Sequence, residues 1–181
     1  EIHHRVKNNL QIVSSLLNLQ ANSITDQAAK DALRESHNRV KSISLIHQKL
    51  YMQDDLSAIS LEEYVVQLCS HLKYVFNAPQ VEIVCHVYPP HVKLDMQTSI
   101  PLGVILNELI TNSIKYAQIN RPGGQIQVTF TDDLGGLCTL QFTDNGVGMP
   151  ADFDVRKSPT LGMRMVNELT RQLQGTITYT T

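Results

Sequence analysis

Leu106-Asn107-Glu108-Leu109-Ile110-Thr111-Asn112-Ser113-Ile114-Lys115-Tyr116-Ala117 sets a carboxylate, amides and an ammonium into a run otherwise fit for a protein core. Glu108, Asn112 and Lys115 are spaced by four and three, which puts them on one face of a helix. Such a row suits a triphosphate with its magnesium. Asn112 could bind the metal through its carbonyl oxygen, Lys115 could neutralise phosphate, and Glu108 could polarise an attacking group or hold a water. Standing alone, the row is equally well a solvated helix face.

Two stretches downstream add to it. Asp144-Asn145-Gly146-Val147-Gly148 follows directly on a strand pattern. Its glycines allow positive φ and close approach of the backbone to a ligand. Asp144 could accept a hydrogen bond from an exocyclic amine such as that of adenine. An isolated DxGxG is more often a plain turn. Thr160-Leu161-Gly162-Met163-Arg164-Met165-Val166 then places Gly162 at the start of a helix, where unpaired amides favour phosphate. That signal is also weak by itself, since a glycine ahead of an amphipathic helix is common.

Around these stretches the pattern predicts two parts. Apolar residues at intervals of three and four from Ile2 to Leu19, and again at Ala29, Leu33, Val40, Ile43 and Leu50, predict two helices joined by a turn at Ile24 to Asp26. A helical hairpin cannot cover both of its apolar stripes, so pairing with a second copy into a four-helix bundle is expected. The pattern lapses between Gln53 and Ser60, which sets the expected domains at 1–56 and 57–181. Beyond it, Ser60 with Glu63 fits a capping box for a helix from Leu61 to about Phe76. Val81 to Val87 alternates like a strand, and Asp95 caps the helix that ends near Ala117. A hairpin joins Gln125–Thr131 to Leu137–Thr143, a helix runs from about Gly162 to Leu173, and a strand is expected from Thr176. The expected fold class is therefore an all-α helical hairpin, dimeric as a four-helix bundle, followed by an α+β sandwich with a mixed sheet.

Composition excludes several function classes. A formal charge of −2 over 181 residues argues against a nucleic-acid or anionic-membrane surface. No apolar run approaches the ~20 residues of a membrane span, so any membrane attachment is expected through an upstream segment, and the core is expected in the cytoplasm. Cys69, Cys85 and Cys138 are scattered and lack CxxC spacing, which predicts buried free thiols.

The order and spacing of the three stretches resemble the N, G1 and G2 boxes of the ATPase domain shared by gyrase, a heat-shock chaperone group, mismatch-repair ATPases and histidine kinases. The resemblance covers about Leu61 to Thr176. It implies ATP and Mg²⁺ as ligands, with Asn112 on the metal and Asp144 reading adenine. Lys115, Gly146, Gly148, Gly162 and Met163 would also contact the nucleotide, and Ala151 to Leu161 would form a lid. Phe153 is only a loose candidate for the aromatic of that lid. Family members usually continue past the final helix with further strands, which are missing before Thr181.

Which of these ATPases is meant depends on the first helix. His4-Arg5-Val6-Lys7-Asn8 resembles the HRxKN phosphoacceptor motif of a subgroup of sensor histidine kinases. Helical geometry supports His4 independently: at about 100° per residue, Ile2, Val6, Leu10, Val13 and Leu17 span roughly 80°. His4 lies nearly opposite the centre of that arc and His3 on its flank. A phosphoacceptor must be reachable, so His4 is the expected nucleophile and Glu108 the expected catalytic carboxylate. The HRxKN branch with an N-box His and a Trp-containing G1 box departs from this chain, which has no Trp and keeps Glu108. The resemblance implies ATP-dependent histidine autophosphorylation and transfer to an aspartate of a response regulator. The alternative is a non-catalytic dimeric phosphotransfer or scaffold protein with a degenerate ATP site.

Overall fold

Asp26, Ser60 and Asp95 each start a helix by the same device, a short side-chain oxygen that accepts an amide proton from the first turn. Asp26 Oδ1 accepts from Ala29 N at 2.7 Å, Ser60 Oγ from Glu63 N at 3.5 Å, and Asp95 Oδ1 from Thr98 N at 2.8 Å. The computed structural model describes residues 2–51, 59–90, 92–117, 119–133, 137–149 and 160–180. Their elements run α1 (Ile2–Ser23), α2 (Gln27–Tyr51), β1 (Ile59–Ser60), α3 (Leu61–Val75), β2 (Glu82–Tyr88), β3 (Lys93–Leu94), α4 (Met96–Tyr116), β4 (Gln125–Asp132), β5 (Cys138–Asp144) and α5 (Leu161–Gln172). They form two compact units, Glu1–Leu56 and Ser57–Thr181.

In the first unit α1 and α2 pack along each other as a hairpin. Val6, Leu10 and Leu17 are half-buried and Ala21 is fully buried, a row at helical intervals that faces α2. A second apolar row remains in solvent: Ile12, Leu16 and Leu19 are 58%, 55% and 65% exposed, while Val13, at the margin of the inner row, is 44% exposed. The sequence pattern ran Leu16 together with the inner stripe. The structure separates them, because Ile12, Leu16 and Leu19 centre roughly 140° around the helix from Leu10 and Leu17.

The second unit is built on a three-stranded mixed sheet in the order β2-β4-β5. β2 runs parallel to β4, with Glu82 opposite Gln125 and Tyr88 opposite Thr131. β4 and β5 are antiparallel, with Ile126 opposite Asp144 and Asp132 opposite Cys138. A parallel pair needs a long crossover, and α4 lies within the one between β2 and β4. β4 turns Ile126, Val128 and Phe130 inward and leaves Gln125 and Gln127 exposed, the alternation of a sheet covered on one face. The core closes with Leu61, Val65 and Leu72 of α3, Leu106 and Ile110 of α4, and Val166 of α5. β1 and β3 form a separate two-stranded ladder. The expected fold class is thus borne out, a helical hairpin followed by helices over a mixed sheet.

Two local expectations fail. Residues 176–180 join no described strand; instead Tyr179 leans on α5, its hydroxyl 3.5 Å from Asn167 Oδ1. A strand exists only where a ladder partner exists, and local alternation cannot supply one. The three cysteines are free, but only Cys69 is buried; Cys85 is half-buried and Cys138 exposed. Cys138 heads β5, at the open edge of the sheet. Burial pushes the Cys69 thiol up to about 12 and the Cys85 thiol up to about 11, so both stay protonated near neutral pH.

Candidate nucleotide-binding site

Glu108, Asn112 and Lys115 follow one another along α4 with graded exposure. Glu108 is 1% exposed, and Asn107 Nδ2 donates to its Oε1 at 3.3 Å. Asn112 is half-buried and donates its Nδ2 proton to Met163 Sδ at 3.2 Å. Lys115 is exposed, with its ammonium 5.8 Å from the centre of the Phe76 ring. The row thus runs from the core outward. Its amide meets the start of α5, while its cation stands over the residue that ends α3.

Asp144 closes β5 and is tied to α4. Ser113 Oγ donates to its Oδ2 at 2.6 Å, and Gly146 N donates to its Oδ1 at 2.9 Å. Each carboxylate oxygen has two lone-pair sites, so both bonds leave acceptor capacity on this exposed side chain for an incoming N–H. Gly146 has no room for a side chain: a Cβ there would stand 2.3 Å from the Ala117 carbonyl oxygen and 2.4 Å from Ala117 Cβ. The turn is docked at that point, since Val147 N donates to Ala117 O at 3.1 Å. Gly148 serves differently, at φ +72°, in the left-handed region open to glycine. The two glycines therefore divide the roles that sequence alone assigned to both.

Some residues of this site had no role assigned from sequence. Ser113 had only its place in the α4 run. Asn145 braces the turn from the other side: its Nδ2 donates to Gly123 O at 2.8 Å, and its Oδ1 accepts from Gln125 N at 2.8 Å. Arg121 Nη2 also donates to the Asn145 carbonyl at 3.1 Å. An Asn beside a Gly was the only available signal.

The first turn of α5 completes the described part. Gly162 is buried and Met163 is 8% exposed. Thr160 occupies the N-cap without a side-chain capping bond, so the first-turn amides have no side-chain acceptor from that residue. The site brings together Asn112, Asp144, Gly146 and Met163 through α4. The backbone of His4 lies in the first turn of α1, in the other unit. Residues 150–159, which hold most of the expected lid and Phe153, and Glu1 lie outside the described residues.

Comparison with known proteins agrees with this arrangement. Residues 1–76 match the family model described as histidine kinase. Residues 97–181 match the one described as histidine kinase-, DNA gyrase B-, and HSP90-like ATPase. The sensor histidine kinase PdtaS of Mycobacterium tuberculosis is 32% identical over 98% of this chain and 35% of its own length. The blue-light-activated histidine kinase 2 of Erythrobacter litoralis is 24% identical over 99% of this chain and 52% of its own length. The chain therefore spans about a third to a half of these curated relatives. A solved blue-light activated histidine kinase from Erythrobacter litoralis shares the fold with a TM-score of 0.71 at 22% identity, over 96% of this chain and 52% of that one. The two family models follow one another along the chain, over residues 1–76 and 97–181, and the chain belongs to the histidine kinases, as their histidine-bearing helical segment followed by their ATP-binding domain.

Proposed function

We propose that this chain is a catalytic core that phosphorylates its own His4 from ATP and passes the phosphoryl group to an aspartate of a response regulator. The observation that carries the reading is the Asp144 constellation. Ser113 and the Gly146 amide hold a carboxylate at the end of β5, with lone pairs to spare for an adenine amine.

The donor set fits Mg²⁺. Asn112 presents an amide whose N–H end is already taken by sulfur, leaving its carbonyl oxygen as a hard ligand, with the Glu108 carboxylate one turn away. When bound, the metal neutralises charge on the phosphates. The first-turn amides of α5, including those of Gly162 and Met163, would donate to phosphate oxygens, and Lys115 would add a positive charge from the end of α4.

In the transfer itself a ring nitrogen of His4 bonds to the γ-phosphorus as the bond to the β–γ bridging oxygen breaks. ADP leaves, and the ring sheds the proton on its other nitrogen. Glu108 is the carboxylate proposed to take that proton or to polarise the ring, a role that requires its side chain, 1% exposed here, to be uncovered when His4 docks. The exposed row Ile12, Leu16 and Leu19 supports a homodimer through α1 and α2. The aspartate acceptor would come from a receiver domain docking on this hairpin. Among the described residues no helix is long and apolar enough to cross a membrane; use of ATP as donor supports a cytoplasmic location for the core.

The test is incubation with Mg²⁺ and ATP labelled on its γ-phosphate. Acid-labile, base-stable label should appear on the chain and vanish in His4→Ala. Label of unchanged yield in that variant would remove His4 from its role.

A further inference from the structure

A side-chain amide is nearly symmetric in shape, and its χ2 well is broad and two-fold. Only its oxygen end can ligate magnesium, so a metal-binding Asn needs something to decide which end faces the ion. In this chain the neighbour of Asn112 Nδ2 is a thioether, Met163 Sδ, at 3.2 Å. Met163 is 8% exposed and comes from a different helix, 51 residues further along the chain.

Sulfur fits this task in two ways. A thioether accepts hydrogen bonds and donates none, so it selects the N–H end of the amide. It is also a soft donor with little affinity for Mg²⁺, so it does not compete for the ion it helps to seat. A hydroxyl or carbonyl at the same place would offer the metal a rival oxygen, and an aliphatic side chain would leave the amide free to turn over.

We infer that Met163 is a positioning residue for the metal: its thioether holds the Asn112 amide so that Oδ1 is presented to Mg²⁺. The inference rests on the nucleotide-site reading above and adds to it a device that couples the start of α5 to the metal ligand on α4. Met163 acts through its side chain here, apart from any contact its backbone amide makes with phosphate.

The experiment is calorimetric titration of the chain with a non-hydrolysable ATP analogue, in Mg²⁺ and in chelator, and the quantity read is the ratio of the two affinities. Met163→Leu keeps the volume and removes the acceptor. It should reduce the Mg²⁺-dependent gain by about fivefold, the effect of one hydrogen bond of ordinary net strength. In an Asn112→Asp background, where either oxygen can ligate, the same change should leave the ratio alone. A role in packing only would weaken both affinities together and preserve the ratio, which would overturn the inference. An equal loss of ratio in the Asn112→Asp background would overturn it too. If Met163→Leu does not fold, Met163→norleucine is read instead: it keeps the length and shape of the side chain and removes only the sulfur, so it should reduce the gain by the same factor, and an unchanged gain would count against the device. A wild-type chain that binds no analogue at all would overturn the nucleotide reading itself.

Discussion

α1 leaves Ile12, Leu16 and Leu19 in solvent, whereas α4 hides Leu106 and Ile110 completely. Both helices are amphipathic, yet they answer different demands. α4 is wrapped by α3, α5 and the sheet, so its apolar face is fully used and only its polar row is left for chemistry. Within its own unit and among the described residues, α1 packs on α2, which covers one of its two apolar rows. The second unit is thus a closed core with an open site, and the first is a hairpin that keeps an apolar row in solvent, the face on which we propose that a second copy pairs.

Paired substitutions give the largest effect. Leu106→Ala should destabilise the ATP-binding unit by about 2–5 kcal/mol through loss of buried surface and an unfilled cavity. Leu16→Ala should change monomer stability by less than about 0.5 kcal/mol and weaken self-association instead. Urea melts followed by circular dichroism and sedimentation equilibrium separate the two. Equal costs at both positions would erase the contrast.

The next effect concerns the seam where the Asp144 turn meets α4. Gly146→Ala would drive a Cβ into the Ala117 backbone and side chain, neither of which can rotate away. The expected cost is about 1–3 kcal/mol in stability, together with loss of nucleotide binding by calorimetry. Ser113→Ala removes one bond to the exposed Asp144 carboxylate, which water can partly replace. Nucleotide affinity should fall by about fivefold with the melting temperature little changed. If Ser113→Ala instead behaves like Leu106→Ala, the polar row of α4 is core and not site.

The smallest effect is at the start of α4. The Thr98 hydroxyl, and then the Thr98 amide, hold the Asp95 carboxyl below its ordinary value. A lowered carboxylate stabilises the fold above the unfolded value and loses that contribution as pH falls through the folded one. Asp95→Ala should cost about 1 kcal/mol at pH 7, and the difference from the native chain should shrink as pH drops below the ordinary carboxylate range near pH ~4. Thermal melts across pH 3 to 7 read this directly.

What the sequence disclosed follows from how far apart the cooperating residues lie. Asp26, Ser60 and Asp95 act within three residues of themselves, so the helix starts were legible. The hairpin and the mixed sheet followed from periodicity and from a crossover long enough to hold a helix. The bonds that build the site join Ser113 to Asp144 across 31 residues and Asn112 to Met163 across 51. Nothing local encodes them, so those residues were named without their partnerships. The split of the α1 rows was hidden for a related reason: two apolar stripes on one helix look like a single wide one until a neighbour covers half of it. Residues 176–180 show the converse, an alternation without a strand to pair with.

We propose that nucleotide held by α4 and the Asp144 turn is spent on the imidazole of His4. The most direct measurement is mass-spectrometric mapping, at neutral to alkaline pH, of the chain after incubation with Mg²⁺ and ATP. The expected result is a single added phosphoryl group on His4, absent in Asp144→Ala. Phosphorylation on His3 or on any hydroxyl, or a modified His4 that persists in Asp144→Ala, would contradict it.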